Sequence, residues 1–247
     1  MSENFTLIDG KAVAADLRQT LQKRVTSMSK KPGLAVILVG DDPASQVYVK
    51  NKIKACKEVG IESFEHRLPS ETGQEELIGL IKTLNADKSV NGILLQLPLP
   101  KHLDSQSAIE TIDPVKDVDG LHPVNIGRLV SGLDGLVPCT PEAVRVLLKV
   151  VQEDMSGMNA VVLGRSILFG KPMGQIMIQE NATLFQCHSR SKDVAKICAG
   201  ADILIAAVGK PQMVKADWVK QGAIVIDVGI NRVDDPEKQG KTKLVGD

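Results

Sequence analysis

Short strand-like runs recur along this chain, separated by stretches whose apolar residues repeat at helical spacing, and this alternation restricts the fold more than any other feature. A run that is apolar throughout shows no period of two, so a strand built from it must be covered on both faces, as in a parallel sheet with crossover helices. Strand-like runs at residues 34–39, 63–68 and 92–97 alternate with helical patterns at 43–59 and 73–84, a βαβαβ layout. A second series has strands at 160–163, 183–187, 203–207 and 224–228, with helices at 170–180, 191–199 and briefly around Trp218. Between the two series a polar stretch runs to Pro138, and Cys139-Thr140-Pro141 then opens a helix of about a dozen residues with proline in its first turn. The expectation is an α/β protein of two domains, residues 1–138 and 139–247, each an open, mostly parallel sheet flanked by helices. The second has the pattern of a Rossmann-like dinucleotide-binding domain. A polar hairpin loop at 234–243 and a short strand at Leu244-Val245 end the sequence.

Composition narrows the function. Thirty basic and thirty acidic side chains cancel among 247 residues, so no overall field draws nucleic acid or an anionic membrane. Aromatic residues make up 2%, too few for base-stacking platforms, which leaves small neutral-to-anionic ligands as the better fit. No apolar run reaches the roughly 18 residues of a membrane span, and residues 1–10 lack the pattern of a secretory signal. Cys56, Cys139, Cys187 and Cys198 show neither zinc-ligand nor CxxC spacing, so they read as reduced thiols of a cytoplasmic protein without a metal site.

Within the helix at 43–59, Lys52 falls on the apolar stripe with Val49, Ile53, Cys56 and Val59, while Lys50, Lys54 and Lys57 project the other way. Ser45, Tyr48 and Lys52 stack along the inward arc at i, i+3 and i+7. A lysine kept from water is a usable acid or base, because desolvation disfavours the ammonium. It is equally a lysine that snorkels along the edge of the core.

In open α/β sheets ligands gather beyond the carboxyl ends of the strands, so the polar residues there are the ones to weigh. The third strand ends in Gln96, followed by Leu97-Pro98; a glutamine in an apolar run needs a partner, which is either Lys52 or loop backbone. Lys116-Asp117-Val118-Asp119-Gly120 is a turn with paired carboxylates and no glutamate at calcium-loop spacing, suited either to a structural turn or to holding an amino-substituted heterocycle. In the second series a strand leads through Gly164-Arg165-Ser166 to a helix opening at Gly170-Lys171-Pro172, where free N–H groups would hold a phosphate, although the spacing is looser than GxGxxG. The next strand ends in His188-Ser189-Arg190-Ser191 where an NAD enzyme commonly has an acid, and hydroxyls with a guanidinium favour the 2′-phosphate of NADP. Gly209 and Gly229 close two further strands and would let a nicotinamide ribose lie against the backbone.

Taken with Gly40-Asp41-Asp42-Pro43-Ala44-Ser45 and Asp227-Val228-Gly229-Ile230-Asn231, these motifs closely resemble the bifunctional methylenetetrahydrofolate dehydrogenase/methenyltetrahydrofolate cyclohydrolase family over nearly the whole chain. The resemblance implies an enzyme that oxidises 5,10-methylenetetrahydrofolate with NADP and hydrolyses the methenyl product to 10-formyltetrahydrofolate. It implies Lys52 as the proton-handling residue, Tyr48 against the aminobenzoyl ring, Gln96 positioning Lys52, and Asp119 on the pterin. Ser45, Leu97 and Pro98 would line the same folate site. Thr140, Gly164, Arg165, Ser166, Ser189, Arg190, Gly209 and Ile230 would contact NADP, with Thr140 close to the nicotinamide. It further implies a homodimer formed through the dinucleotide domains. Two departures stand out: Ile167-Leu168-Phe169 follows Ser166 where the family usually has a polar asparagine, and the family's final segment, which returns to the first domain, is absent from this sequence. The second departure leaves a non-catalytic folate- or dinucleotide-binding variant as the alternative. A dehydrogenase of small keto or amino acids would use the second domain but give Lys52 and Asp119 no task.

Overall fold

The computed structural model describes residues 5–236 and 240–247. The chain forms two compact units, one of Met1–Arg128 with Asp134–Val137 and the other of Leu129–Leu133 with Pro138–Asp247, so the division is not a single cut.

In chain order the first series runs α1 (Gly10–Thr26), β1 (Gly33–Val39), α2 (Pro43–Val59), β2 (Glu62–Leu68), α3 (Gln74–Ala86), β3 (Gly92–Leu95), α4 (Ser105–Thr111) and α5 (Pro123–Val130). The three strands form a parallel sheet in the order β2-β1-β3, with Leu34 beside both Ser63 and Gly92. Central β1 sends alternate side chains into two cores. Ala35, Ile37 and Val39 pack with Leu77 and Ile81 of α3, whereas Val36 and Leu38 pack with Val49 of α2 and with Leu94. Both faces are therefore dry, which is why β1 is apolar throughout. Edge strand β2 exposes Glu62, Glu65 and Arg67, charges that discourage pairing with a further strand.

Helix α1 precedes the first expected strand and has no counterpart in the sequence expectations. Its Asp9 N-cap accepts from the amides of Lys11 and Ala12, and Val13, Leu17, Leu21 and Val25 recur every fourth residue, yet only Val25 is buried. Helices α4 and α5 occupy the stretch that looked merely polar. The third strand stops at Leu95, two residues earlier than the apolar run suggests, because Gln96 leaves the ladder while its amide still donates to Ile37 O.

In the second series α6 (Cys139–Val151), β4 (Asn159–Leu163), α7 (Gly170–Gln179), β5 (Thr183–Cys187), α8 (Val194–Cys198), β6 (Ile203–Ala206) and β7 (Ile224–Asp227) build a parallel sheet ordered β5-β4-β6-β7. Val161, Leu163, Cys187, Cys198 and Leu204 form one core cluster, while α7 packs on β4 and β5 with Met173, Ile176 and Met177 buried. Helix α8 has five residues where nine were expected, since Asp193 adopts φ 53° and the helix starts only after it. The last strand is likewise half of a pair: β8 (Asn231–Asp234) runs antiparallel to β9 (Thr242–Val245). Of the expected polar loop, residues 237–239 lie outside the described ones. Among the described residues no helix is long and apolar enough to cross a membrane.

Lys116 ties the end of α3 to the turn between α4 and α5: its Nζ donates to the carbonyls of Leu84, Asn85 and Asp87 at 3.1, 2.8 and 2.8 Å. A cation at a helix C-terminus both satisfies the last carbonyls and opposes the helix dipole. Lys116→Met should therefore lower unfolding stability by about 1–3 kcal/mol. Urea denaturation checks this, and an unchanged midpoint contradicts it.

Candidate active site

In the first unit the chain leaves β1 for β2 on one side and returns to β3 on the other, so the sheet opens a crevice beyond the ends of β1 and β3. Both sides of that crevice carry the residues singled out above. Asp42 caps α2 by accepting from the amide of Ser45 at 2.8 Å, which starts the helix immediately after β1. Ser45 is buried, Lys52 is half-buried, and Tyr48 is 48% exposed. Of the two readings of its helical phase, this half-buried position matches the lysine at the edge of the core rather than one kept wholly from water. There Nζ donates to Gln96 Oε1 at 3.4 Å, and the Gln96 amide nitrogen donates to Leu97 O at 2.6 Å. The glutamine side chain is therefore held at both ends, with its oxygen facing the lysine. Leu97 is half-buried and Pro98 exposed beside it.

The two carboxylates of the Lys116–Gly120 turn differ in kind. Asp117 is 2% exposed and accepts from the amide of His122 at 2.8 Å and from Asn125 Nδ2 at 2.9 Å. It is a structural acid that fixes the turn, and Ile93 in β3 adds a bridge to it. Asp119, half-buried, is the carboxylate of the pair left nearer to water. The Asp117–His122–Asn125 network has no periodic signature and went unnoticed in sequence, although an asparagine and a histidine within eight residues of a carboxylate are its ingredients.

In the second unit the strand order reverses between β4 and β6. A cavity of about 260 Å³ lies at their carboxyl ends, lined by residues following β4, β5 and β6. Of the expected cofactor residues, Gly164, Arg165, Ser166 and Ser189 line it, joined by His188 and Lys210, which are not among the expected contacts. Thr140, Arg190, Gly209 and Ile230 are not part of its wall. Thr140 sits exposed in the first turn of α6, Arg190 is exposed with its amide donating to His188 Nδ1, and Ile230 is 66% exposed.

Two further expectations need correction. The amides at the start of α7 are not free: Phe169 N and Gly170 N donate to Ser166 Oγ at 3.2 and 3.4 Å, and Lys171 N donates to Ser166 O at 3.0 Å. The apolar turn Ile167-Leu168-Phe169, with Phe169 buried, brings Ser166 back onto these amides, and none of the first residues of α7 lines the cavity. Gly209 N also has a partner, the Asp247 carboxylate at 3.0 Å, and Gly229 lies close to Asp247 rather than to open space. What remains fits a phosphorylated nucleoside. Arg165, Lys210 and the Ser189 hydroxyl supply charge and hydrogen bonds, and Val194, Ala207 and Val208 supply apolar walls. No group of metal-ligating side chains occurs among the described residues.

The fold and this pocket define a two-unit α/β protein whose second unit is built to take a dinucleotide. Residues 8–119 match the family described as tetrahydrofolate dehydrogenase/cyclohydrolase, catalytic domain, and residues 138–247 match its NAD(P)-binding domain. The chain belongs to the tetrahydrofolate dehydrogenase/cyclohydrolase family. It is 56% identical over 246 residues to the bifunctional protein FolD of Rhodopseudomonas palustris strain HaA2, covering 98% of this chain and 83% of that one. It is 58% identical over 250 residues to bifunctional protein FolD 1 of Rhizobium etli, covering 98% and 84%. The crystal structure of the Campylobacter jejuni enzyme FolD superposes with a TM-score of 0.92 at 46% identity, covering 98% of this chain and 85% of that chain. The Trypanosoma brucei FolD structure, complexed with NADP cofactor and inhibitor, gives 0.91 at 38% identity, covering 98% and 84%. These likenesses lend no support to a non-catalytic variant, and the family match sets aside a dehydrogenase of small keto or amino acids.

Gly164 lines the pocket where two strand ends approach closely. It has φ +115°, and a Cβ there would stand 2.3 Å from Ala207 O. Gly164→Ala should force β4 and β6 apart at their ends and weaken NADP binding roughly tenfold or more, given strain of about 1–3 kcal/mol. A fluorescence titration reads this directly; wild-type affinity in the variant contradicts it.

Proposed function

We propose that this chain oxidises 5,10-methylenetetrahydrofolate with NADP and hydrolyses the resulting methenyl compound to 10-formyltetrahydrofolate, with Lys52 handling the protons of the second step. Family membership supports the pair of activities, and the observation that carries the assignment to Lys52 is its hydrogen bond to an anchored Gln96 at the crevice beyond β1 and β3. When bound, NADP accepts the hydride from the methylene carbon between N5 and N10, a step that asks the protein for alignment rather than for a base. In hydrolysis, water adds its oxygen to the cationic methenyl carbon and sheds a proton. The bond from that carbon to N5 then breaks as the added hydroxyl gives up its remaining proton and becomes the formyl carbonyl, while N5 takes a proton; two protons leave and one is taken up, so one is released overall. Lys52 would take and return the proton, with its Nζ held by the hydrogen bond to Gln96 Oε1. Tyr48, about half exposed, would offer a ring face for the aminobenzoyl group. Asp119 would accept from the pterin amino group and ring nitrogen, on a turn held by buried Asp117, while Ser45, Leu97 and Pro98 would line the site.

For NADP, Arg165 and Ser189 would take the 2′-phosphate, with Gly164 and Ser166 shaping the wall. Thr140, Arg190, Gly209 and Ile230 lie outside the cavity wall and enter this proposal on the family resemblance alone, Gly209 without its amide, which Asp247 takes. A cytoplasmic setting accords with four free thiols. The homodimer would form through β5, an edge strand with Phe185 44% exposed, close in sequence to Ile178, 50% exposed, on α7. Sedimentation should give twice the chain mass of 26.5 kDa, and a monomer at micromolar concentration contradicts it.

Lys52→Gln should lower methenyl hydrolysis by about 100-fold or more while hydride transfer falls far less, because proton handling supplies about that factor. Separate assays of the two steps check this. Equal losses in both, with folate affinity retained, contradict the assignment.

A further inference from the structure

Three successive backbone amides after β6 converge on one carboxylate outside the sites described above. Asp247 Oδ2 accepts from Val208 N at 2.6 Å and Gly209 N at 3.0 Å, while Oδ1 accepts from Lys210 N at 2.9 Å and Asn231 Nδ2 at 2.8 Å. Four donors on two oxygens of a residue 5% exposed make a closed, charge-assisted cluster. Burial by itself would raise this carboxyl, but the bonds from Asn231 and from the amides of Val208, Gly209 and Lys210 together hold it below the ordinary carboxylate range. Converging amides of this kind are the usual cradle for an anion. Here the chain supplies the anion itself.

We propose that Asp247 is a positioning residue for dinucleotide binding, setting the loop Val208-Gly209-Lys210 so that Val208 and Lys210 face the cavity beyond β4 and β6. The proposal rests on the assignment of that cavity to NADP. Val208 and Lys210 line it and Asp247 does not, so the carboxylate grips the loop from behind. The grip is precise because the neighbouring backbone is close. A Cβ on Gly246 would stand 1.6 Å from Asp227 Oδ2, and one on Gly229 would stand 2.3 Å from Asp247 Cγ. Gln212 N and Val214 N donate to the carbonyls of Gly246 and Asp247, at 2.9 and 2.8 Å, which stitches the segment after β9 to the loop after β6. The pocket wall is thus held by a residue 37 to 39 positions away in sequence.

The test is Asp247→Asn, alike in shape but with an NH2 group that must face at least one of the four donors. Asn231→Ala, which removes one donor and leaves the carboxylate, is the milder companion. In the full protein, Asp247→Asn should raise the KM for NADP about tenfold with a smaller fall in dehydrogenase kcat, and Asn231→Ala should raise it by a smaller factor. Hydrolysis of methenyltetrahydrofolate, supplied directly and without NADP, should stay within about twofold of wild type, since its residues lie in the other unit. An unchanged KM in a folded Asp247→Asn protein overturns the proposal. So does tighter NADP binding, the result expected if the carboxylate acted only as a nearby negative charge. Parallel loss of both activities in both variants also overturns it, by making Asp247 a residue of general stability. Failure of the wild-type protein to bind NADP instead overturns the cofactor assignment, a result read before any variant is made.

Discussion

A parallel sheet dry on both faces governs the rest of the architecture. Such a sheet forces every strand-to-strand connection into a crossover, and it leaves polar groups no place except the strand ends. The inner strands of both sheets obey this constraint, while edge strands β2, β5 and β7 keep exposed residues along their length. In each sheet, the chain doubles back across its first strand, and chemistry-bearing side chains gather where the order reverses: Lys52 and Gln96 beyond β1 and β3, Arg165, Ser189 and Lys210 beyond β4, β5 and β6. The glutamine ends β3 and becomes the lysine's partner in one stroke, so strand termination and site construction are the same event.

The dinucleotide pocket uses backbone amides differently from what its strand-turn-helix layout suggests. Ser166 caps α7 with its own oxygens, and Asp247 takes the amides after β6. Groups that a looser loop would offer to phosphate are spent on the protein's own geometry. Recognition then falls to long side chains at the rim, where a guanidinium and an ammonium can meet a phosphate without strained backbone.

Strands and most helices of both units were legible because apolar periodicity reports burial directly, as in β1 and α2. Lys52 was legible for the same reason, though periodicity gives direction and not depth, so a half-buried lysine looks like a buried one. Helix α1 was missed because it buries only Val25, and α8 was overestimated because the left-handed Asp193 carries no compositional mark. Asp117 and Asp247 were illegible as structural acids. Their donors are mainly backbone amides or distant side chains, and no residue type announces an N–H that needs a partner. Ser166 has the look of a ligand contact in sequence, whereas its bonds to the amides of Phe169 and Gly170 depend on the turn that follows it.

The central claim is that one chain performs both an oxidation and a hydrolysis on the same folate. Continuous absorbance of the wild-type protein with methylenetetrahydrofolate and either NADP or NAD, following reduced cofactor and methenyl compound separately, tests it most directly. Reduction should be faster with NADP and proceed without build-up of the methenyl compound. No reduction with either cofactor, or methenyl compound accumulating in step with reduced cofactor, would contradict it.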